Sequence, residues 1–203
     1  MNTRRELVLG MGSLGVAALG IPVWRGAMAQ PQLAMTPDKR IPNTPLISHE
    51  GKKVRFYDDL VRGKVVTINM MYVACADICP TATANLRKVQ QLLGARAGRD
   101  VFMYSLSLQP ELDTPELLKA YAELHHAEPG WLFLTGAADD IEELRYSLGF
   151  SDPDPQVDRD QTTHTGMLRI GNDAFQRWTM APALAEPRQI LATINHVSRT
   201  LTF

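Results

Sequence analysis

Residues 65–73 read Val-Val-Thr-Ile-Asn-Met-Met-Tyr-Val, an apolar run with few polar interruptions. Such a run fits a strand covered on both faces, which requires packed layers on either side of a sheet. It leads directly into the only two cysteines of the chain, in Cys75-Ala76-Asp77-Ile78-Cys79-Pro80. A helical pattern follows over 81–93, where Ala82, Leu86, Val89, Leu92 and Leu93 recur at helical spacing. Two soft thiol ligands at a strand-to-helix corner, with none elsewhere, make a reactive or metal-binding site the first hypothesis.

The rest of the chain alternates strands and helices. A short strand over 53–57 and a helical turn over 58–61 precede the apolar run. A second long strand covers 101–108, and Asp113-Thr114-Pro115-Glu116 then opens a helix reaching about His126, before Pro129-Gly130. A third strand covers 131–134 and a third helix 139–148, and the acidic stretch 149–161 reads as a surface loop. Residues 167–170 and 176–179 form a hairpin about Gly171-Asn172-Asp173, and 187–200 closes as a helix. This order predicts an α/β domain: a central mixed sheet flanked by helices, with an added hairpin and an N-terminal extension. A dithiol between a long strand and a helix gives that domain the look of a thioredoxin-like fold, by analogy of architecture.

The N-terminus reads as a leader. Arg4-Arg5 precedes an uncharged stretch over 7–24, and Arg25 precedes Ala27-Met28-Ala29. Basic, apolar and small-residue regions in that order describe a bacterial export signal over 1–29, cut before Gln30, and the paired arginines resemble the twin-arginine type. The alternative is an uncleaved membrane anchor. Either places the domain outside the cytoplasm, in the periplasm, where disulfides persist. Proline-rich residues 30–45 read as a linker, leaving 46–203 as the folded domain. With a net charge of −1 and no basic cluster, nothing points to nucleic acid.

Residues four apart in a regular helix hold their β-carbons about 5–6 Å apart, whereas a disulfide needs about 3.5–4.5 Å. Cys75 placed just before the first helical turn lets the pair open and close without unfolding the domain. The helix start supplies unpaired N–H groups and positive potential that favour a thiolate, which in turn selects soft ions such as copper(I). A purely structural disulfide would close too short a loop to stabilise much. A metal-free redox dithiol is the stronger rival, with Cys75 the more exposed, attacking thiol and Cys79 the resolving one.

Two sulfurs leave room for a third donor. Of the five histidines, His125 and His126 end a predicted helix, His196 falls in the last one, and His49 lies in a lead-in loop. His164, in Thr162-Thr163-His164-Thr165-Gly166, precedes the hairpin, and in a thioredoxin-like fold the segment entering that strand lies beside the dithiol. Met70, Met71 and Met167 bring thioethers to the region, with core packing as their simpler role.

Gly63-Lys64-Val65-Val66, Tyr72, Cys75, Cys79 and Pro80 resemble the Sco/SenC family of copper-binding proteins, as do Asp113-Thr114-Pro115-Glu116, Leu118-Lys119-Ala120-Tyr121, Leu134-Thr135-Gly136 and His164-Thr165. The resemblance implies a thioredoxin-like fold and copper ligation by Cys75, Cys79 and His164. It also implies a copper-enzyme client, namely a cytochrome oxidase subunit that receives copper or has its cysteines reduced. The chain departs from the family pattern at Met70-Met71, Val73-Ala74, Ala76, Gln109 and Thr163, so the ligands are kept while their surroundings change. Peroxidase chemistry of the peroxiredoxin type lacks its expected threonine, because Tyr72 stands three residues before Cys75. A redox or copper sensor acting through a partner is a further reading, for which the sequence marks no partner surface.

Overall fold

The computed structural model describes residues 41–160 and 166–199. Seven strands form one sheet: β1 (Pro45–Ser48), β2 (Lys53–Arg55), β3 (Val65–Met71), β4 (Val101–Ser107), β5 (Trp131–Gly136), β6 (Met167–Asn172) and β7 (Arg177–Pro182), in the spatial order β2-β1-β5-β4-β3-β6-β7. The centre, β5-β4-β3, is parallel, while β1 and β6 join its two sides antiparallel. Among the described residues five α-helices accompany them: α1 (Ile78–Leu93), α2 (Pro115–Leu124), α3 (Ala138–Ser147), α4 (Pro155–Asp158) and α5 (Pro187–Ser198). A π-helix, Phe56–Val61, and short 3-10 turns complete the described chain.

The apolar run behaves as its composition dictates. Alternate residues of β3 enter opposite cores: Met71 joins one, Val66, Ile68 and Met70 the other. The first core lies under α1, α2 and α5, which contribute Leu86 and Val89, Leu118 and Tyr121, and Ile190 and Ile194. The second lies under the π-helix and α3, which contribute Phe56, Leu60, Ile141 and Leu144. This is the expected mixed sheet with helices on both faces.

Several local expectations are corrected. Strand β1 was not legible, because Pro45 opens it and it is only four residues long, yet it continues the sheet beside β5. Ile41 and Thr44 ahead of it are already buried. The strand expected over 53–57 stops at Arg55, and Phe56 and Tyr57 instead turn inward at the start of the π-helix. Helix α2 starts from Thr114, whose hydroxyl accepts the Leu117 N–H (3.3 Å), and ends at Leu124. The acidic loop carries α4, capped by the Asp154 side chain on the Gln156 N–H (2.9 Å). The hairpin turns at residues 173–175 rather than at Gly171, which stays in β6 beneath the Trp178 ring.

Candidate metal and redox site

The site forms where β3 ends and α1 begins, beyond the carboxyl ends of the parallel strands. Met71 O accepts the Leu108 N–H (2.8 Å), which ties the ends of β3 and β4 together. The chain then turns: the Cys75 N–H donates to Tyr72 O (3.2 Å), and the Val73 N–H points at the Asp113 carboxylate (3.2 and 3.3 Å). Asp113 is buried and also accepts the Ser107 hydroxyl (2.6 Å). The sequence marks 113–116 as a helix start without assigning Asp113 a separate role: Thr114 caps the helix and Asp113 pins the cysteine loop.

Helix α1 begins earlier than its apolar periodicity indicated, so Cys79 lies in its first turn and Cys75 just ahead of it. Asp77, the residue before the helix, gives no side-chain cap. The Cys79 N–H instead donates to the Cys75 sulfur (3.4 Å), so a thiol takes the place usually held by an oxygen. Pro80, lacking an N–H, costs nothing in this first turn.

Cys75 and Cys79 stand as two separate thiols. Both are buried, with 5% and 1% exposure, Cys75 being the more exposed of the two as expected though still largely covered. Burial pushes the Cys75 thiol up, but hydrogen bonds from the Cys79 thiol, the Cys79 and Asp77 backbone N–H groups and the Tyr72 hydroxyl outweigh it. Its net position is below the ordinary thiol value. The Tyr72 phenol is pushed up to about 12, first by burial, then by its bond to Cys75, the two thiols and the Asp160 carboxylate. Tyr121, bonded to Thr83 (3.0 Å), is also raised to about 12, chiefly by burial and with the two thiols contributing.

His164 lies outside the described residues, but both residues flanking 161–165 are described. Asp160 acts electrostatically on the Tyr72 hydroxyl. Gly166 accepts the Ala183 N–H (2.9 Å), and a β-carbon on it would stand 3.3 Å from Ile78, between the cysteines in sequence. Among the described residues, no group of three His, Cys, Asp or Glu side chains is arranged to hold a metal ion. The other histidines have structural settings. The His49 Nδ1 accepts the Phe133 N–H (3.1 Å) and the His49 backbone N–H donates to Phe133 O (2.8 Å), extending the β1–β5 pairing. His125 packs on Tyr121 at the end of α2, and burial lowers its pKa, with His126 adding to the effect. His196 is exposed in the last turn of α5. Met70 and Met71 are both buried, on opposite faces, and Met167 packs at the edge of the second core.

A mixed sheet with helices on both faces and a dithiol at the strand-to-helix corner define a thioredoxin-like protein with a soft-donor pair. The SCO1/SenC family pattern matches residues 39–199, and the chain belongs to that family. A putative copper-binding protein of Stutzerimonas stutzeri is 26% identical over 182 residues, covering 87% of each chain. The copper-bound structure of Bradyrhizobium japonicum ScoI is 25% identical, with a TM-score of 0.58 over 77% of this chain and 99% of that one. BsSco, a member of the Sco family of cytochrome c oxidase assembly proteins in which a disulfide switch is identified, is 24% identical. It has a TM-score of 0.62 over 79% of this chain and 95% of that one.

Proposed function

We propose that this protein is an exported copper carrier that holds one copper ion through the Cys75 and Cys79 sulfurs and the His164 imidazole. Its client would be a respiratory copper enzyme such as cytochrome c oxidase. The observation that carries the reading is the pair of thiols at the start of α1, with the lowered pKa of Cys75 and no third described ligand beside them. Thiolates favour copper(I), and a neutral imidazole completes a three-donor set that a client's ligands can replace one at a time. His164 stands two residues before Gly166 in sequence, and Gly166 packs against Ile78, which supports its selection as the third donor. The copper-bound ScoI and the copper-binding relative support the cargo, and BsSco supports the client class. Residues 1–29 would direct export, and the stretch from residue 30 up to the buried Ile41 would link the leader to the domain, which takes in Ile41, Thr44 and the strand opened by Pro45. No described helix is long and apolar enough to cross a membrane. The test is copper binding by the reduced protein. About one copper per chain is expected, with weaker or spectroscopically altered binding in His164→Ala. Unchanged stoichiometry, affinity and spectrum in that variant would remove His164 from the site.

Thiol–disulfide exchange is the second reading, favoured by the hydrogen bond between the two thiols. The Cys75 thiolate would attack a client disulfide, breaking it and forming a mixed disulfide. The Cys79 thiolate would then close the Cys75–Cys79 bond and release the client as a dithiol, two electrons having passed to it. Burial of both sulfurs favours a small ion over a protein disulfide as the readier visitor. Trapping of a mixed disulfide by Cys79→Ser under copper-free conditions would support exchange, and its absence with a reducible client would count against it.

A further inference from the structure

The second face of the sheet keeps an uncovered margin. Val54 of β2, Phe102 of β4 and Leu132 of β5 are half-buried beside the second core. With Leu60 and Tyr104 they floor a cleft of about 430 Å³, within the range of small-molecule sites. One wall is backbone. Gly98 and Gly130 both take left-handed φ angles (+76° and +96°), and a β-carbon on Gly130 would stand 2.4 Å from Gly98 N. The Gly98 N–H donates to Val101 O (2.8 Å) and Gly130 O accepts the Met103 N–H (2.9 Å), so both turns are held to β4 and the wall is fixed.

The charged side chains lining the cleft are Lys52, Lys64, Arg99 and Glu50, a surplus of cations over an apolar floor. Lys52 pairs with Glu50 (2.9 Å) and Arg99 with Asp100 (2.8 Å), at exposed positions where water screens both pairs. Lys64 differs. Its ammonium lies 4.8 Å from the centroid of the Phe102 ring and donates to Asp59 O. Burial lowers its pKa, against the opposing pull of the Asp59 carboxylate. The ring stabilises such a cation in part, and an anion beside it gains more there than in bulk water. Lys64 stands just before β3, whose far end leads to the dithiol. The seven residues of β3 set the two roughly 23 Å apart, so the copper site does not account for this lysine. We infer that the cleft is a second binding site, for a small amphipathic anion: a carboxylate held by Lys64, with an apolar body laid over Phe102, Val54 and Leu132. The fixed wall at Gly98 and Gly130 suits a short free molecule rather than a membrane surface. The inference is independent of the copper reading.

The experiment titrates the full chain with decanoate by calorimetry, with decanol and decylammonium as matched chains that lack the negative charge. One decanoate per chain is expected, with decanol about tenfold weaker and no binding of decylammonium. Lys64→Met keeps the stem and loses the charge, and should weaken decanoate binding about tenfold, whereas Lys64→Arg should retain most of it. The double variant Cys75→Ser, Cys79→Ser should bind decanoate like wild type, because the sulfurs lie beyond the other end of β3. Equal affinity of Lys64→Met and wild type overturns the inference, as does decanol binding as tightly as decanoate. Binding to phosphatidylglycerol vesicles with none to free decanoate would make the face a membrane contact and overturn it too. The comparison of decanoate with decanol needs no variant, so the inference stays open to refutation even if Lys64→Met does not fold.

Discussion

The backbone N–H of Cys79 donates to the sulfur of Cys75 across the first turn of α1, at 3.4 Å. One residue therefore caps the helix and belongs to the reactive pair, so helix stability and thiol chemistry are linked. A charged sulfur is the better acceptor at a helix start, where the free N–H groups and the dipole favour negative charge.

Tyr72 is the polar side chain the chain adds to this arrangement. Tyr72→Phe removes a hydrogen bond to Cys75 while keeping the ring. The thiol should then titrate at higher pH than in wild type. A pH series of iodoacetamide labelling in Cys79→Ser, with and without Tyr72→Phe, reads the midpoint of Cys75. An unshifted midpoint would show that the hydroxyl does not contribute.

Asp113 holds the cysteine loop from beneath, through the Val73 N–H and the Ser107 hydroxyl. Asp113→Ala leaves the buried Ser107 hydroxyl and the part-buried Val73 N–H without their acceptor, which costs about 2 kcal/mol. Urea unfolding should show that loss, with a smaller one for Asp113→Asn, which keeps an oxygen acceptor. Equal stability of wild type and Asp113→Ala would mean that water or another group takes over.

The Asp158 carboxyl lies well below its ordinary value of 3.8, first because Arg145 hydrogen-bonds it, with the Asp152 N–H and the Tyr146 hydroxyl adding to the effect against burial. A carboxyl with a lowered folded-state pKa contributes stability that is present above the unfolded-state value and is lost as pH falls below it. Between about pH 6 and about pH 3 the wild type should therefore lose more stability than Asp158→Asn, which has no such proton to take up. Thermal unfolding across that range is the measurement, and parallel curves would contradict it.

Gly171 lies in β6 under the Trp178 ring, where an added β-carbon would sit 2.0 Å from the ring. Gly171→Ala must push the indole away, at a cost of about 1–3 kcal/mol. A shifted tryptophan emission should accompany a lower urea midpoint. An unchanged spectrum and midpoint would mean that the hairpin shifts as a unit without strain.

The two-faced burial of β3 was legible because an apolar run of that length can hardly be solvated on either side. The dithiol was legible because the chain has only two cysteines and places them together at a strand-to-helix corner. Short elements were lost: β1 begins on a proline, and α4 is a single turn inside an acidic stretch. Neither has enough residues to show a period.

Sequence by itself determined the layered α/β architecture, the position of the sulfurs and the family motifs, all of which are carried by local composition and spacing. Only the tertiary structure decided that both sulfurs are buried, that Asp113 turns from its helix to the cysteine loop, and that Arg145 reaches Asp158. Those facts depend on which distant segments the sheet order brings together, and hydrogen bonds between residues far apart in the chain leave no periodic trace along it.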